Sequence, residues 1–385
     1  MALEDLKPSE KNALFDLRLK LQNFLTSDPT SSNLSSLWGV PLLHSQSNPC
    51  LDTVLLKFLR ARDFNADESL RMLQRRLRWR EEYGVDGILE QESDSDSDLD
   101  FCGTTYMCGF DREGHPVCYN VFRSFRQSGL CRKTLGTKGS CERFLRWRVR
   151  FMEKGIQEFL SFEPGKASAM LQVIDLKDSL GSSMKEVRSA MERMIKLFQD
   201  NYPEFVVKNI FVNVSFRYYT YHALFSPLLT PRTKSKFVFV RPSKVTETLL
   251  KYINLENIPN TYGGFKREND EEFSAENGKA SEASLKGGSI AIVEIAITEP
   301  RVTLVWDITV VGWEVMYKEE FKPDDEFSYN ILIQEERKLE QSMRNSFYFN
   351  ETGKLALTIE NKTFKKKRIF YRSKTKPTIP SYNLL

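Results

Sequence analysis

The hydrophobic period changes twice along the chain, and each change marks a different kind of element. Leu14, Leu17, Leu21, Phe24 and Leu25 share one face of a helical projection, so residues 1–48 hold an amphipathic helix followed by a Ser-rich connector. From Asp52 the helical period returns in Leu55, Phe58 and Leu59, then in Leu70, Leu73 and Leu77, with Gly84 placed to stop the helix. An acidic run, EQESDSDSDLD over residues 90–100, interrupts the pattern and reads as a solvated linker. Beyond it, short apolar runs alternate with helical stripes. Phe110-Asp111-Arg112-Glu113-Gly114 is a turn between two strands, and a long helix after Ser140 carries two stripes, Phe144, Trp147 and Phe151 beside Leu145, Val149, Met152 and Ile156. A strand at residues 170–174 follows, then the capping box Ser183-Met184-Lys185-Glu186, opening a helix that buries Val187, Met191, Ile195 and Phe198. Strands around residues 210–214 and 237–240 complete an alternation that predicts βαβ units and a mainly parallel sheet. Near the C-terminus the period becomes two: Val302, Leu304, Trp306, Ile308 and Val310 alternate with Thr303, Asp307 and Thr309, and Leu355, Leu357 and Ile359 repeat the pattern. That predicts an antiparallel β-sandwich.

The segment between the last two strands of the α/β region is unusual. Residues 216–229 predict a helix with Phe, Tyr and Leu on nearly every side, which suits burial or lipid but not an ordinary surface. A membrane span needs about twenty residues. Extending this one would bury Lys208 and Arg217 at roughly 2.5–3.5 kcal/mol each. A greasy helix covering a cavity fits better.

Several motifs now converge. LLKFLRARDFNADESLRML over residues 55–73, GFDREGHPV over 109–117, VIDLKD over 173–178, NYPE over 201–204 and TPRTKSKFVFV over 230–240 resemble the CRAL-TRIO lipid-binding family. The run Trp38-Gly39-Val40-Pro41-Leu42-Leu43 and the β-rich region containing TLVWDITVVGWEV are similar to the patellin branch. The resemblance implies a multidomain protein: an N-terminal helix and connector over residues 1–48, a helical CRAL-TRIO N-terminal region over 50–90, and an α/β CRAL-TRIO lipid-binding domain over 101–266. A polar linker over 267–286 and an all-β, jelly-roll-like GOLD sandwich over 287–376 would follow.

Composition narrows the function. Lys plus Arg number 56 against 52 for Asp plus Glu, so whole-molecule attraction to nucleic acid is not implied. The N-terminus has no apolar core of a secretory signal, the sequons at Asn33, Asn213, Asn350 and Asn361 are chance matches, and the six cysteines are expected to stay reduced. Catalysis is poorly provisioned. Only His44, His115 and His222 are present, and neither a nucleophile elbow nor a Walker-type loop accompanies them. Cys102, Cys108, His115 and Cys118 lack the knuckle spacing of a structural zinc site and read as thiols of strands. No enzyme activity, metal or cofactor is expected; a bound phospholipid is.

A phospholipid needs an apolar cavity and a few fixed polar groups for its headgroup. Phe198, Phe211, Phe216, Tyr219, Leu224, Phe225 and Leu228 supply candidates for the cavity and its gate. The family resemblance implies that Arg62, Glu204, Thr233 and Lys236 form the inositol-phosphate site. Asp63 and Phe205 stand where classical transfer proteins often carry cations, and Met107, Cys118, Met170 and Gln172 stand where choline-lipid binders place hydroxyls. A basic cluster, Lys365, Lys366, Lys367 and Arg368, suits an anionic membrane and equally suits protection of an edge strand. The resulting expectation is a cytoplasmic, peripherally membrane-associated protein that binds or transfers phosphoinositides in membrane or vesicle trafficking. Protein partners would dock on the GOLD-like domain, and nucleic acid is not expected, because no aromatic stacking motif accompanies the charges. The rivals are a scaffold with a vestigial cavity and a carrier of another apolar ligand such as a sterol or tocopherol.

Overall fold

Helix starts in this chain are set by side chains that satisfy free amides. Asn48 accepts from the Cys50 N–H at 3.0 Å to open α2 (Pro49–Ala61), and Asn65 accepts from the Glu68 N–H at 3.0 Å to open α3 (Ala66–Tyr83). Gly84, at φ +66°, closes α3 in the left-handed region. Thr137 and Ser140 form a reciprocal capping box at the start of α4 (Lys138–Phe159). The computed structural model describes residues 6–27, 36–43, 48–90, 101, 103–122, 137–178, 185–215, 235–273, 278–312, 314–339 and 342–377. The chain forms two compact units, Met1–Pro242 and Ser243–Leu385.

In the first unit, α1 (Pro8–Ser27) buries Leu14, Leu17, Leu21 and Leu25, the face its sequence predicts. It is tied to α2 by an Arg18–Asp52 ion pair and to α3 by Lys20–Asp67 at 2.7 Å. A two-residue ribbon, β1 (Ser36–Leu37) with β2 (Val40–Pro41), places Trp38 against Phe58, Phe162 and Phe205, with ring centroids 6.1, 5.9 and 4.6 Å away. The α/β part is a five-stranded sheet ordered β3 (Thr105–Phe110), β4 (Pro116–Val121), β5 (Met170–Asp175), β6 (Val206–Val212), β7 (Phe237–Phe239). Only β3–β4 is antiparallel; the other pairs are parallel, as the alternation of strands and helices predicts. Strand β6 begins earlier and ends earlier than the sequence pattern suggests. Helix α5 (Lys185–Asn201) carries the expected Phe198, but the capping box at Ser183 and Met184 lies outside the described residues.

Buried charges join the helices to one another and to the turn after α5. The Glu153 carboxylate on α4 accepts from Arg76 at 3.0 Å, from Arg80 at 3.0 Å and from the Tyr202 hydroxyl at 2.7 Å. The Arg76 guanidinium lies 4.5 Å from the Trp79 ring and 4.7 Å from the Tyr202 ring.

The second unit begins with α6 (Val245–Leu249) and ends in a sandwich of two four-stranded antiparallel sheets. One sheet is ordered β13 (Met343–Phe349), β10 (Val302–Val311), β15 (Lys367–Pro377), β8 (Ser281–Leu285). The other is ordered β12 (Ile331–Leu339), β11 (Val315–Pro323), β14 (Gly353–Asn361), β9 (Ser289–Ile297). One expectation is corrected here. The described residues of 267–286 are not a free linker: β8 pairs with β15, and Arg267 and Asp270 are bound to the sheet. The outward positions of β10 are not solvated either. Asp307 and Thr309 are fully buried, and Arg267, Asp270 and Phe273 lie against Asp307 and its partner Arg372. Asp307 accepts from Arg267 at 3.0 Å, Arg344 at 2.8 Å and Arg372 at 2.7 Å, and Arg344 also binds Asp270 at 2.7 Å. The Arg372 guanidinium sits 4.1 Å from the Phe273 ring and donates to the Phe265 carbonyl at 3.1 Å.

Removing one partner from a buried charge cluster strands the others, at about 3–5 kcal/mol. Asp307→Asn is therefore expected to destabilise the second unit by about that much, read as lost hydrogen-exchange protection in β10 and β15. Burial pushes the Asp270 carboxyl up, but hydrogen bonds and charge from Arg344, with the Glu272 and Phe273 amides, hold it down to about 2 against an ordinary 3.8. A depressed carboxyl stabilises the fold above its unfolded value and stops doing so as pH falls through the folded one. Protection in this unit is expected to fall as pH drops from about 4 to about 2, and less steeply in Asp270→Asn.

Candidate functional site

The turn after α5 is built to aim one carboxylate. Helix α5 ends at Asn201, whose amide donates to the Leu197 carbonyl at 2.9 Å; the Tyr202 N–H makes the last helical bond, to the Phe198 carbonyl at 2.9 Å, and Pro203 follows. Glu204 then takes φ +55°, a left-handed conformation that costs a residue with a Cβ on the order of 1–2 kcal/mol. Two lysines hold it there. Lys57 of α2 donates to the Glu204 carbonyl at 3.0 Å and to the Ser168 carbonyl at 2.6 Å. Lys236, one residue before β7, donates to the Glu204 carboxylate at 3.0 Å and to the Val206 carbonyl at 2.7 Å. The Lys236 and Glu204 side chains keep 21% and 16% of their surface exposed, so this ion pair is reachable. Lys57 is not: it is buried, with its ammonium 4.2 Å from the Phe205 ring.

Burial pushes the Lys57 ammonium down to about 7; the Glu204 charge opposes the shift, while Arg60 and Lys236 add to it. Phe205, noted above as a departure from the resemblance, is buried against Trp38, Phe162 and Tyr202. It is a wall of the Lys57 pocket.

The sheet offers a mixed face beside this pair, aromatic toward β6 and β7. Cys118, Gln172, Asn209 and Phe237 align in one row across β4 to β7, and Asn120, Ile174, Phe211 and Phe239 align in the next. Phe211 lies 5.0 Å from both the Phe237 and Phe239 rings, and these two rings stay half-buried. Met107 sits opposite Cys118, so Met107, Cys118, Met170 and Gln172 share this face. The neighbouring row of Tyr119, Val173 and Ile210 points the other way and is fully buried. From α4, Arg148 reaches Thr105 and stands 5.8 Å from the Phe198 ring.

Of the residues singled out from sequence, Glu204 and Lys236 come together, and Phe198 and Phe211 are placed in the α/β part. Arg62 is not brought to the pair. It caps α2 and its guanidinium donates to the Ala61 carbonyl at 2.8 Å. Thr233, Phe216, Tyr219, Leu224, Phe225 and Leu228 lie outside the described residues. The basic patch is divided. Lys367 is buried and donates to the Gly312 carbonyl at 3.3 Å, Arg368 pairs with Glu282 at 2.6 Å, and Lys365 and Lys366 stay exposed. Sequence reasoning missed Lys57. Its signal is a single Lys inside Val54-Leu55-Leu56-Lys57-Phe58-Leu59, a stretch with no solvated face to receive it.

Three family descriptions match in the order of these elements: CRAL/TRIO, N-terminal domain over residues 6–75, CRAL/TRIO domain over residues 100–264, and Patellin-1-like, C-terminal GOLD domain over residues 286–367. Patellin-3 of Arabidopsis thaliana is 42% identical over 384 residues, covering 97% of this chain and 76% of its own length. The chain belongs to the patellin family. Patellin-4 of the same plant is 48% identical over 343 residues, 88% of this chain, which spans 61% of that protein's length. The chain is also similar to a more distant protein, phosphatidylinositol transfer protein SFH5 of Cryptococcus neoformans, at 27% identity over 66% of this chain and 87% of SFH5. The crystal structure of Sfh5 superposes with a TM-score of 0.55 at 21% identity, covering 68% of this chain and 90% of that one. The fold class read from the patellin sequence therefore stands: N-terminal helices, a CRAL-TRIO α/β domain and a GOLD β-sandwich. None of the helices among the described residues is long and apolar enough to cross a membrane.

A lysine whose folded value is about 7 and whose ordinary value is 10.5 binds fewer protons folded than unfolded between those limits. Stability from this site therefore rises as pH increases from about 7 toward 10. Urea unfolding of the wild type is expected to show that rise, and Lys57→Met to flatten it.

Proposed function

We propose that this chain carries phosphatidylinositol or a phosphorylated derivative of it, exchanging the lipid between membranes without covalent chemistry. The observation that carries the reading is the reachable Lys236–Glu204 ion pair at the edge of a half-buried aromatic surface. An ammonium suits the phosphodiester, and a carboxylate accepts from inositol hydroxyls. Phe211, Phe237 and Phe239 offer apolar contact to acyl chains. Membership in the CRAL-TRIO class supports a lipid ligand, and the name of the SFH5 relative supports phosphatidylinositol as its headgroup. The GOLD unit would bring the carrier to anionic membranes or to protein partners, in the cytoplasm and in membrane or vesicle trafficking.

Native mass spectrometry of the purified chain is expected to show co-purified phosphatidylinositol. A sterol or tocopherol in its place would overturn the headgroup assignment, and an empty protein that still captures partners would make it a scaffold. Lys236→Ala is expected to lower phosphatidylinositol exchange by about ten- to a hundredfold, the equivalent of one charged hydrogen bond or slightly more, in protein that a thermal melt shows to be still folded, though less stable for the loss of the Glu204 partner. Wild-type exchange by that variant would remove Lys236 from the site.

A further inference from the structure

The β14–β15 turn holds an aromatic ring in water on a rigid base. Phe364 is fully exposed. Its loop, however, is tightly determined. The buried Asn361 amide donates to the Lys286 carbonyl at 2.9 Å and the Lys365 carbonyl at 2.8 Å, while its oxygen accepts from the Thr363 N–H at 3.1 Å and hydroxyl at 2.7 Å. The Gly288 N–H adds a bond to the Thr363 carbonyl at 2.9 Å. Gly287 packs so closely that a Cβ there would stand 2.4 Å from the Phe364 carbonyl oxygen. The ring is thus presented by its scaffold, and nothing in the described residues folds over it.

Cations surround it. Lys286, Lys362, Lys365 and Lys366 are all exposed at this tip; Lys362 shares its charge with Glu360 at 3.2 Å, and Lys365 and Lys366 have no salt bridge to a described residue. The β9 residue Ile290, exposed as well, lies opposite Glu360 next to the turn. The other end of the same strands is the reverse in sign. There Phe327 and Tyr329 are also exposed, but they sit among Asp324, Asp325, Glu326 and Glu351, with the Asp324 N–H bonded to the Thr352 carbonyl and Ser328 bonded to Glu351. The sandwich is polarised end to end.

We infer that the Phe364 tip is a wedge that enters the interface of an anionic lipid bilayer, with the four lysines against the headgroups. This rests on the reading of the chain as a membrane-visiting carrier and adds the docking element. The shape selects a bilayer over a protein. A stable protein interface needs a complementary patch of about 1,000 Å² or more, whereas a lipid surface accepts a single protruding ring. Charge selects an anionic surface, and the acidic end, carrying its own exposed aromatics, is turned away from it by repulsion.

The test uses the full-length chain and vesicles of phosphatidylcholine with or without phosphatidylserine, free of phosphatidylinositol, so that cavity loading plays no part. Wild type is expected to sediment with the serine-containing vesicles and to be released by salt. Phe364→Ala should weaken that partitioning about tenfold or more, the value of withdrawing one aromatic ring from an apolar environment, at an unchanged melting temperature. Phe327→Ala should leave it unchanged. The Phe364→Trp variant should bind as wild type and gain emission that is quenched by lipids brominated on their acyl chains. Wild type left in the supernatant overturns the docking reading itself. Wild type that binds while Phe364→Ala binds equally well, or quenching no greater than that of wild type, overturns the wedge and leaves the carrier reading standing. Equal losses in Phe364→Ala and Phe327→Ala overturn the orientation that defines it.

Discussion

Lys57 carries a positive charge into a core that offers it two carbonyl oxygens and an aromatic ring, and the turn bearing Glu204 is fixed by that arrangement. An ammonium taken out of water must find acceptors or lose its proton. The acceptors come from two places far apart in sequence, Ser168 ahead of β5 and Glu204 ahead of β6, so one helix side chain sets the spacing of two strand entrances. The left-handed backbone of Glu204 is strained for a residue with a Cβ, and it persists because its carbonyl is bound by one lysine and its carboxylate by another. Trp38, Phe162 and Phe205 close the pocket and keep water from competing for the ammonium.

The same device appears at two other places in the described residues. Glu153 collects Arg76, Arg80 and Tyr202 at the junction of α3, α4 and the turn after α5. Asp307 collects Arg267, Arg344 and Arg372 in the second unit. Such clusters add little net free energy over a well-packed apolar core, because desolvation offsets the attraction. Their consequence lies in the alternatives they penalise. Sliding α3 along α4 by one turn would leave Arg76 buried without its acceptor, at about 3–5 kcal/mol, where a leucine pair would repack for much less.

That asymmetry explains which parts of the structure were legible in the sequence. Burial is periodic, so the α1 face, the long α4 helix, the parallel strands and the β-sandwich can be read from spacing alone. Charge pairing has no period. The run Lys266-Arg267-Glu268-Asn269-Asp270 has the composition of a solvated linker, and only the fold shows that Arg267 and Asp270 meet Asp307 and Arg344. Asp307 itself follows the alternation that should put it in water, and it is buried with Arg267 of that segment against it. At the site, the motif frame named Glu204, Lys236 and Arg62 together; the fold pairs the first two and turns the Arg62 guanidinium onto the Ala61 carbonyl at the end of α2, a detail that a motif match does not carry. In the basic run, strand alternation separates Lys367 inward from Arg368 outward, so four adjacent charges do not make one patch.

The pairing of Lys236 with Glu204 also restricts what the site could hold. Neither Asp63 nor Phe205 adds a cation beside it, and the partly buried pair is close to neutral as it stands. A ligand that took the ammonium alone would strand a partly buried carboxylate, and the cost of that stranding would offset the new contact. A ligand that offered an anion to Lys236 and hydroxyl donors to Glu204 would leave neither group unanswered. A phosphodiester bearing a polyol meets both demands. A choline headgroup has no hydroxyl to donate, and on the adjacent face Met107, Cys118 and Met170 supply none in return. Selectivity in this arrangement would come from the acceptor as much as from the cation: the carboxylate rejects anions that bring no donor with them.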